Sequence, residues 1–175
     1  MDRIIEAAPT DAPEMPEVLT QVLRFLIKLS KEKMDAGEEV YPFTGLAIKD
    51  KLFTEDASSE TIEGAFQQAR HTVEDARGAD AYGFCYDGYI NVDDRQLDAI
   101  IAEGGVPNDP KGYAIGLIYT QDAEGVATFE DEPTYIGPAP NFMSGLKDAS
   151  EYTDDDLDEK YKTPGEEDEE GAAQE

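Results

Sequence analysis

Among 175 residues, one histidine and one cysteine are the side chains best suited to neutral-pH catalysis, and they are His71 and Cys85. A histidine is the usual general base near neutral pH, and a thiolate is a strong nucleophile. Neither residue comes with the neighbours that such work needs. His71 lies nine residues after Ile62 on an amphipathic pattern. At 100° per residue that places it opposite the apolar stripe, facing water. A Ser-His-Asp triad would have only this histidine as its base. Cys85 sits inside Ala81-Tyr82-Gly83-Phe84-Cys85-Tyr86, with no Lys or Arg within seven residues on either side. It is expected to be a buried, inert thiol, because reactive cysteines need cations close by.

Zinc would need three or four Cys, His or carboxylate ligands, and this composition offers little beyond carboxylates. Oxygen-ligand metals are the remaining option. Asp93-Asp94 with Asp98, Asn108-Asp109, and Glu130-Asp131-Glu132 each gather donors suited to Mg²⁺ or Ca²⁺. In a chain with 41 acidic residues such groupings also arise without a metal. The run Asp154-Asp155-Asp156-Leu157-Asp158 lacks the glycine that an EF-hand loop places at its sixth position. Gly104-Gly105 leads into Val106-Pro107, with no phosphate-loop Lys-Ser/Thr and no GxGxxG. No residue is therefore assigned a catalytic, cofactor-binding or metal role, and no cofactor is expected. Tyr82, Tyr86, Tyr89, Tyr113 and Tyr119 suit either a recognition surface or the packed face of a sheet.

The elements that would position these residues follow from patterning. Pro16 opens a helix from Glu17 to about Met34, which Gly37 stops. Its apolar residues cover more than half the circumference, so it either packs hard against a sheet or shares a surplus face with a second subunit. Glu39 to Phe53 reads as the first strand. Ser58 or Ser59 caps a second helix running to about Arg77, with Ile62, Ala65, Phe66, Ala69, Val73 and Ala76 on one stripe. The apolar region from Asp80 to Ile136 then reads as sheet. Asp87-Gly88 is a hairpin turn or a bulge, Arg95–Glu103 a strand despite a helical local preference, and Tyr113–Thr120 its partner. Val126 to Ile136 is the last strand, ended by Pro138 and Pro140. Phe142, Met143 and Leu146 pin the chain back onto the body. The expected class is α+β: two helices packed on one face of a mostly antiparallel sheet of about five strands, with a disordered acidic C-terminal tail. Residues 1–13 form a flexible lead, 14–147 a single domain and 148–175 the tail.

Charge bounds the function. Against 41 acids stand 14 Lys plus Arg, a formal −27. Residues 148–175 supply 13 acids and 2 bases, leaving −16 on the rest. That sign opposes direct binding to nucleic acid or to an anionic membrane surface, and it attracts basic proteins. A single cysteine fits a reducing compartment, and no signal peptide or apolar span of about 20 residues is visible, so a cytoplasmic protein is expected. The favoured function is a non-catalytic, soluble protein-interaction module with an acidic surface. Its partner is an unidentified, basic protein, and the chain is a monomer or homodimer. The alternatives are a carboxylate-based, Mg/Ca-dependent enzyme and an acidic decoy that covers a basic protein surface.

Overall fold

The structure is a computed structural model that describes residues 4–6 and 13–146. The expected acidic tail, 148–175, lies outside the described residues. The elements run β1 (Ile4–Glu6), α1 (Glu17–Asp35), β2 (Phe43–Ile48), β3 (Lys51–Asp56), α2 (Ile62–Glu74), β4 (Ala81–Val92), β5 (Arg95–Gly105), β6 (Gly112–Gln121), β7 (Ala127–Phe129) and β8 (Thr134–Ala139). The α+β class is as expected, but the described residues form eight strands rather than five. Seven run antiparallel to their neighbours in the order β3-β2-β4-β5-β6, with β7 and β8 sharing the far edge of β6. β1, within the stretch read as a lead, pairs parallel with Tyr89–Asn91 of β4. No helix among the described residues is long and apolar enough to cross a membrane.

One of the three extra strands comes from a turn without glycine. Glu39 to Phe53 is not one strand but the β2–β3 hairpin, reversed at Lys49-Asp50 with φ of 50° and 68°. β4 and β5 reverse in the same way at Asp93-Asp94, with φ of 51° and 62°. Two-residue hairpin loops of type I′ demand positive φ at both central residues, and aspartate tolerates it better than most side chains. Asp87-Gly88, expected as turn or bulge, lies mid-strand in a regular β4–β5 register. Arg95–Gly105 is a strand, as expected: both its neighbours supply ladders that override local helix propensity. Val126–Ile136 is broken into β7 and β8, and Pro138 sits inside β8, on an edge where a missing N–H is tolerated.

The larger correction concerns the layers. The two helices lie on opposite faces of the sheet, not on one. β4 is buried on both sides from Ala81 to Tyr86. Its odd positions, with Ile100, Ala102, Ile115 and Leu117, pack under Leu19, Leu23 and Leu26 of α1. Its even positions, Tyr82, Phe84 and Tyr86, pack with Ala65, Ala69 and Val73 of α2. A strand apolar on both faces needs a cover on each. α1 takes the small-residue face: a Cβ on Gly83 would stand 2.7 Å from Leu26 Cδ1 and 2.9 Å from Leu23 Cδ2. α2 covers the aromatic face, with Phe66 edge-on to Phe84 and Phe142 at 5.8 and 5.1 Å. Thr61 rather than Ser58 or Ser59 caps it, accepting from Gly64 N at 3.0 Å, and it ends at Glu74 rather than Arg77.

The segment after β8 folds back as expected, with Phe142 and Met143 buried. Tyr82 Oη donates to Pro140 O at 3.1 Å and accepts from Phe142 N at 3.0 Å. Asn141 Nδ2 donates to Val106 O at 2.9 Å and Asp109 O at 2.7 Å, while its Oδ1 accepts from Met143 N at 2.9 Å. Those bonds tie the β5–β6 loop to the end of the sheet.

Candidate functional site

The residues with the most chemical potential in the sequence are held apart by the fold. His71 is exposed on the outer side of α2. Cys85 is fully buried on the other face of the sheet, beneath α1. Its Sγ lies 3.3 Å from Ser30 Oγ. Burial pushes the thiol up to about 12, against a smaller opposing effect of the Ser30 hydrogen bond. It is a protonated core side chain at neutral pH, as its strand position led us to expect.

The carboxylate groupings are scattered too. Asp93 and Asp94 are exposed turn residues. Asp109 Oδ1 caps its own loop by accepting from Lys111 N at 3.1 Å. Glu132 pairs with Arg24 of α1 on the surface. Among the described residues, no three His, Cys, Asp or Glu side chains converge as metal ligands do. The five tyrosines do not make one surface: Tyr82 and Tyr86 are in the core under α2, and Tyr113 and Tyr119 lie on the α1 face.

What the fold does assemble is a recess at the C-terminal end of α1. It measures about 300 Å³ and is lined by Met34, Glu38, Glu39, Val40, Tyr41, Asp87, Tyr119 and Gln121. β4 places Asp87 two residues beyond Cys85, on the same face. β6 places Tyr119 two ladders away, where its ring reaches back across β5. Tyr119 Oη donates to Asp87 Oδ1 at 2.7 Å. The helix stops at Asp35 because Gly37, with φ of 81°, turns the chain out, and Glu38 to Tyr41 then form the rim. Tyr41 Oη donates to Glu39 Oε1 at 2.6 Å.

The electrostatics of this recess run one way. Burial raises the Asp87 carboxyl above the usual range, offset by the Tyr119 hydrogen bond and reinforced by Asp98 nearby. Burial, then the bond and charge of Asp87, hold the Tyr119 phenol far above its ordinary value. The Tyr41 phenol is raised by its bond to Glu39 and by that charge. Among the described residues that line the recess, three are carboxylates and none is Lys, Arg or His. Its apolar walls, Met34 and Val40, suit the methylene stem of a long cationic side chain. The arrangement offers charge and oriented hydrogen-bond acceptors. It has no activated nucleophile among its lining residues.

Asp87 and Tyr119 were not legible as a pair. Asp87 shares strand parity with Cys85, which was the available signal, but Asp87-Gly88 also fits a hairpin turn or a bulge, and nothing local points from Asp87 to Tyr119. Glu103 was missed as well. It is buried on the α2 face and accepts from Tyr86 Oη at 2.7 Å. A lone acid within Ala99-Ile100-Ile101-Ala102-Glu103 was the cue.

A second hollow of about 310 Å³ opens between α1 and the β2–β3 hairpin, lined by Val18, Phe25, Leu52 and neighbours. It accounts for the surplus apolar face of α1, since Phe25 is left exposed there. No known family's model matches this chain, and no curated protein or solved structure shows a significant similarity to it.

Proposed function

We propose that the protein is a non-catalytic protein-interaction module that takes a lysine or arginine side chain of a basic partner into the Asp87–Tyr119 recess. The observation that carries this reading is a half-buried carboxylate, oriented by a tyrosine, in a recess whose described charged lining residues are all acidic. Burial strengthens a charge-assisted bond relative to one formed in open water, and Tyr119 already holds Asp87 in place. The net charge of −27 adds long-range attraction for a basic surface.

The test uses an arginine- and lysine-rich peptide as the probe, titrated calorimetrically into the full chain and into Asp87→Asn. Binding should weaken by about tenfold or more in the variant, the scale expected when one partner of a desolvated ion pair is removed. Equal affinities that both fall steeply with salt would instead favour diffuse attraction, as in an acidic decoy. Heat evolved with Mg²⁺, Ca²⁺ or Mn²⁺ and lost in Asp87→Asn would favour the carboxylate-metal alternative.

A further inference from the structure

β3 is the outer strand of the sheet, and among the described residues nothing pairs with its far edge. In a two-residue hairpin the residues flanking the loop, here Ile48 and Lys51, exchange both backbone hydrogen bonds. The N–H and C=O groups of Leu52, Thr54 and Asp56 therefore point away from β2, toward the open edge. Phe53, on the α2 face, is 52% exposed, a large apolar area for a strand. Natural edges are commonly blunted by charge, and Lys51, Glu55 and Asp56 fit that description. These charges are also self-complementary about Phe53.

We propose that β3 pairs antiparallel with β3 of a second copy of this chain, about a two-fold axis passing between the two Phe53 residues. A two-fold perpendicular to the sheet keeps each face continuous, so facing residues must have the same parity. Five such registers fit the open backbone groups, centred on Leu52, Phe53, Thr54, Glu55 or Asp56. Only the Phe53-centred one sets Lys51 opposite Glu55 of the partner, twice, and Phe53 against Phe53. In that register Leu52 and Thr54 of each copy exchange the outward backbone bonds. Phe53 then occupies the closer, non-hydrogen-bonded position, where aromatic pairs contribute most. Glu55 is already held on this face, its Oε1 accepting from Thr72 Oγ1 of α2 at 2.9 Å. Among the described residues, the helices make their main contacts with β2, β4 and β5 rather than with β3.

Sedimentation equilibrium of the full chain at 0.15 M salt should show a concentration-dependent mass rising toward twice 19.2 kDa. Thr54→Pro removes an N–H that points outward and makes no bond to β2, so the monomer should keep its fold while dimerisation is lost. Lys51→Glu and Glu55→Lys, each placing like charges opposite one another twice, should each weaken association by up to about tenfold. The double reversal should restore it. Phe53→Cys should give a reducible dimer on mild oxidation, since that non-hydrogen-bonded position has the short separation a disulfide requires. A full chain that stays monomeric at every concentration overturns the proposal. So does a dimer that survives Thr54→Pro, or one that the double charge reversal fails to restore. Should Thr54→Pro fail to fold, absence of the Phe53→Cys cross-link overturns it independently.

Discussion

Leu26 sits where α1 touches bare backbone, and replacing it tests the layer arrangement directly. The side chain is completely buried. Beneath it lie Gly83 and Gly45, where an added Cβ would come within 2.7 and 2.8 Å of its two methyl carbons. Leu26→Ala leaves a void whose floor is glycine, so no side chain below can move up to fill it. The loss should fall in the upper half of the range for buried leucines, about 4 kcal/mol. Gly83→Ala alone forces a methyl against Leu26 and Leu23 and should cost about 1–3 kcal/mol. Combined, the new methyl occupies space the leucine vacated. The double variant should be less destabilised than the sum of the singles by at least about 1 kcal/mol, a coupling typical of residues in contact. Urea denaturation followed by far-ultraviolet circular dichroism, with midpoints compared at a common slope, measures all four corners of the cycle. Additivity within about 0.5 kcal/mol would refute the seating of α1 on Gly83 and, with it, the assignment of opposite faces.

Other expectations follow from the same contacts. Because burial raises the Asp87 carboxyl, its protonated form is favoured by the fold, and its contribution to stability declines as pH climbs through that raised value. Asp87→Asn should therefore gain stability relative to the parent as pH rises above the ordinary carboxylate range in urea titrations, even as peptide binding falls; a flat difference would contradict the burial argument. The Cys85 thiol, held at about 12, should react with an alkylating reagent at least about 100-fold more slowly in the native than in the denatured state. Rapid native labelling would mean that α1 opens readily from the sheet. Phe66→Ala, which removes two edge-to-face ring contacts from a half-buried side chain, should cost about 3 kcal/mol, and His71→Ala less than about 0.5 kcal/mol. Comparable losses would mean that α2 is rotated.

Local patterning was enough for what repeats along one element. The α1 and α2 stripes, the burial of Cys85 and the exposure of His71 all follow from periodicities of 3.6 or 2, which are set by the chain's own geometry. The strand at Arg95–Gly105 instead runs against its local helical preference and is held by the ladders on both sides. The turns were harder to read because Lys49-Asp50 and Asp93-Asp94 reach positive φ without the glycine or asparagine that usually announces it. The ladders on either side hold them there. Parity divides Ala81–Tyr86 into a small-residue face and an aromatic face, but it does not say where the helices go, and both were expected on one face; the structure buries the run on both sides. Volume decided which helix takes which face. The Gly-Cys-Ala face admits the broad leucine-rich helix closely, and the Tyr-Phe-Tyr face is met by the narrow alanine stripe of α2. The recess was decided last, because Asp87 and Tyr119 stand 32 residues apart and meet only when β5 pairs in register with both their strands. A one-residue slip in either ladder would turn one of them to the opposite face, which is why no local signal in the chain could join them.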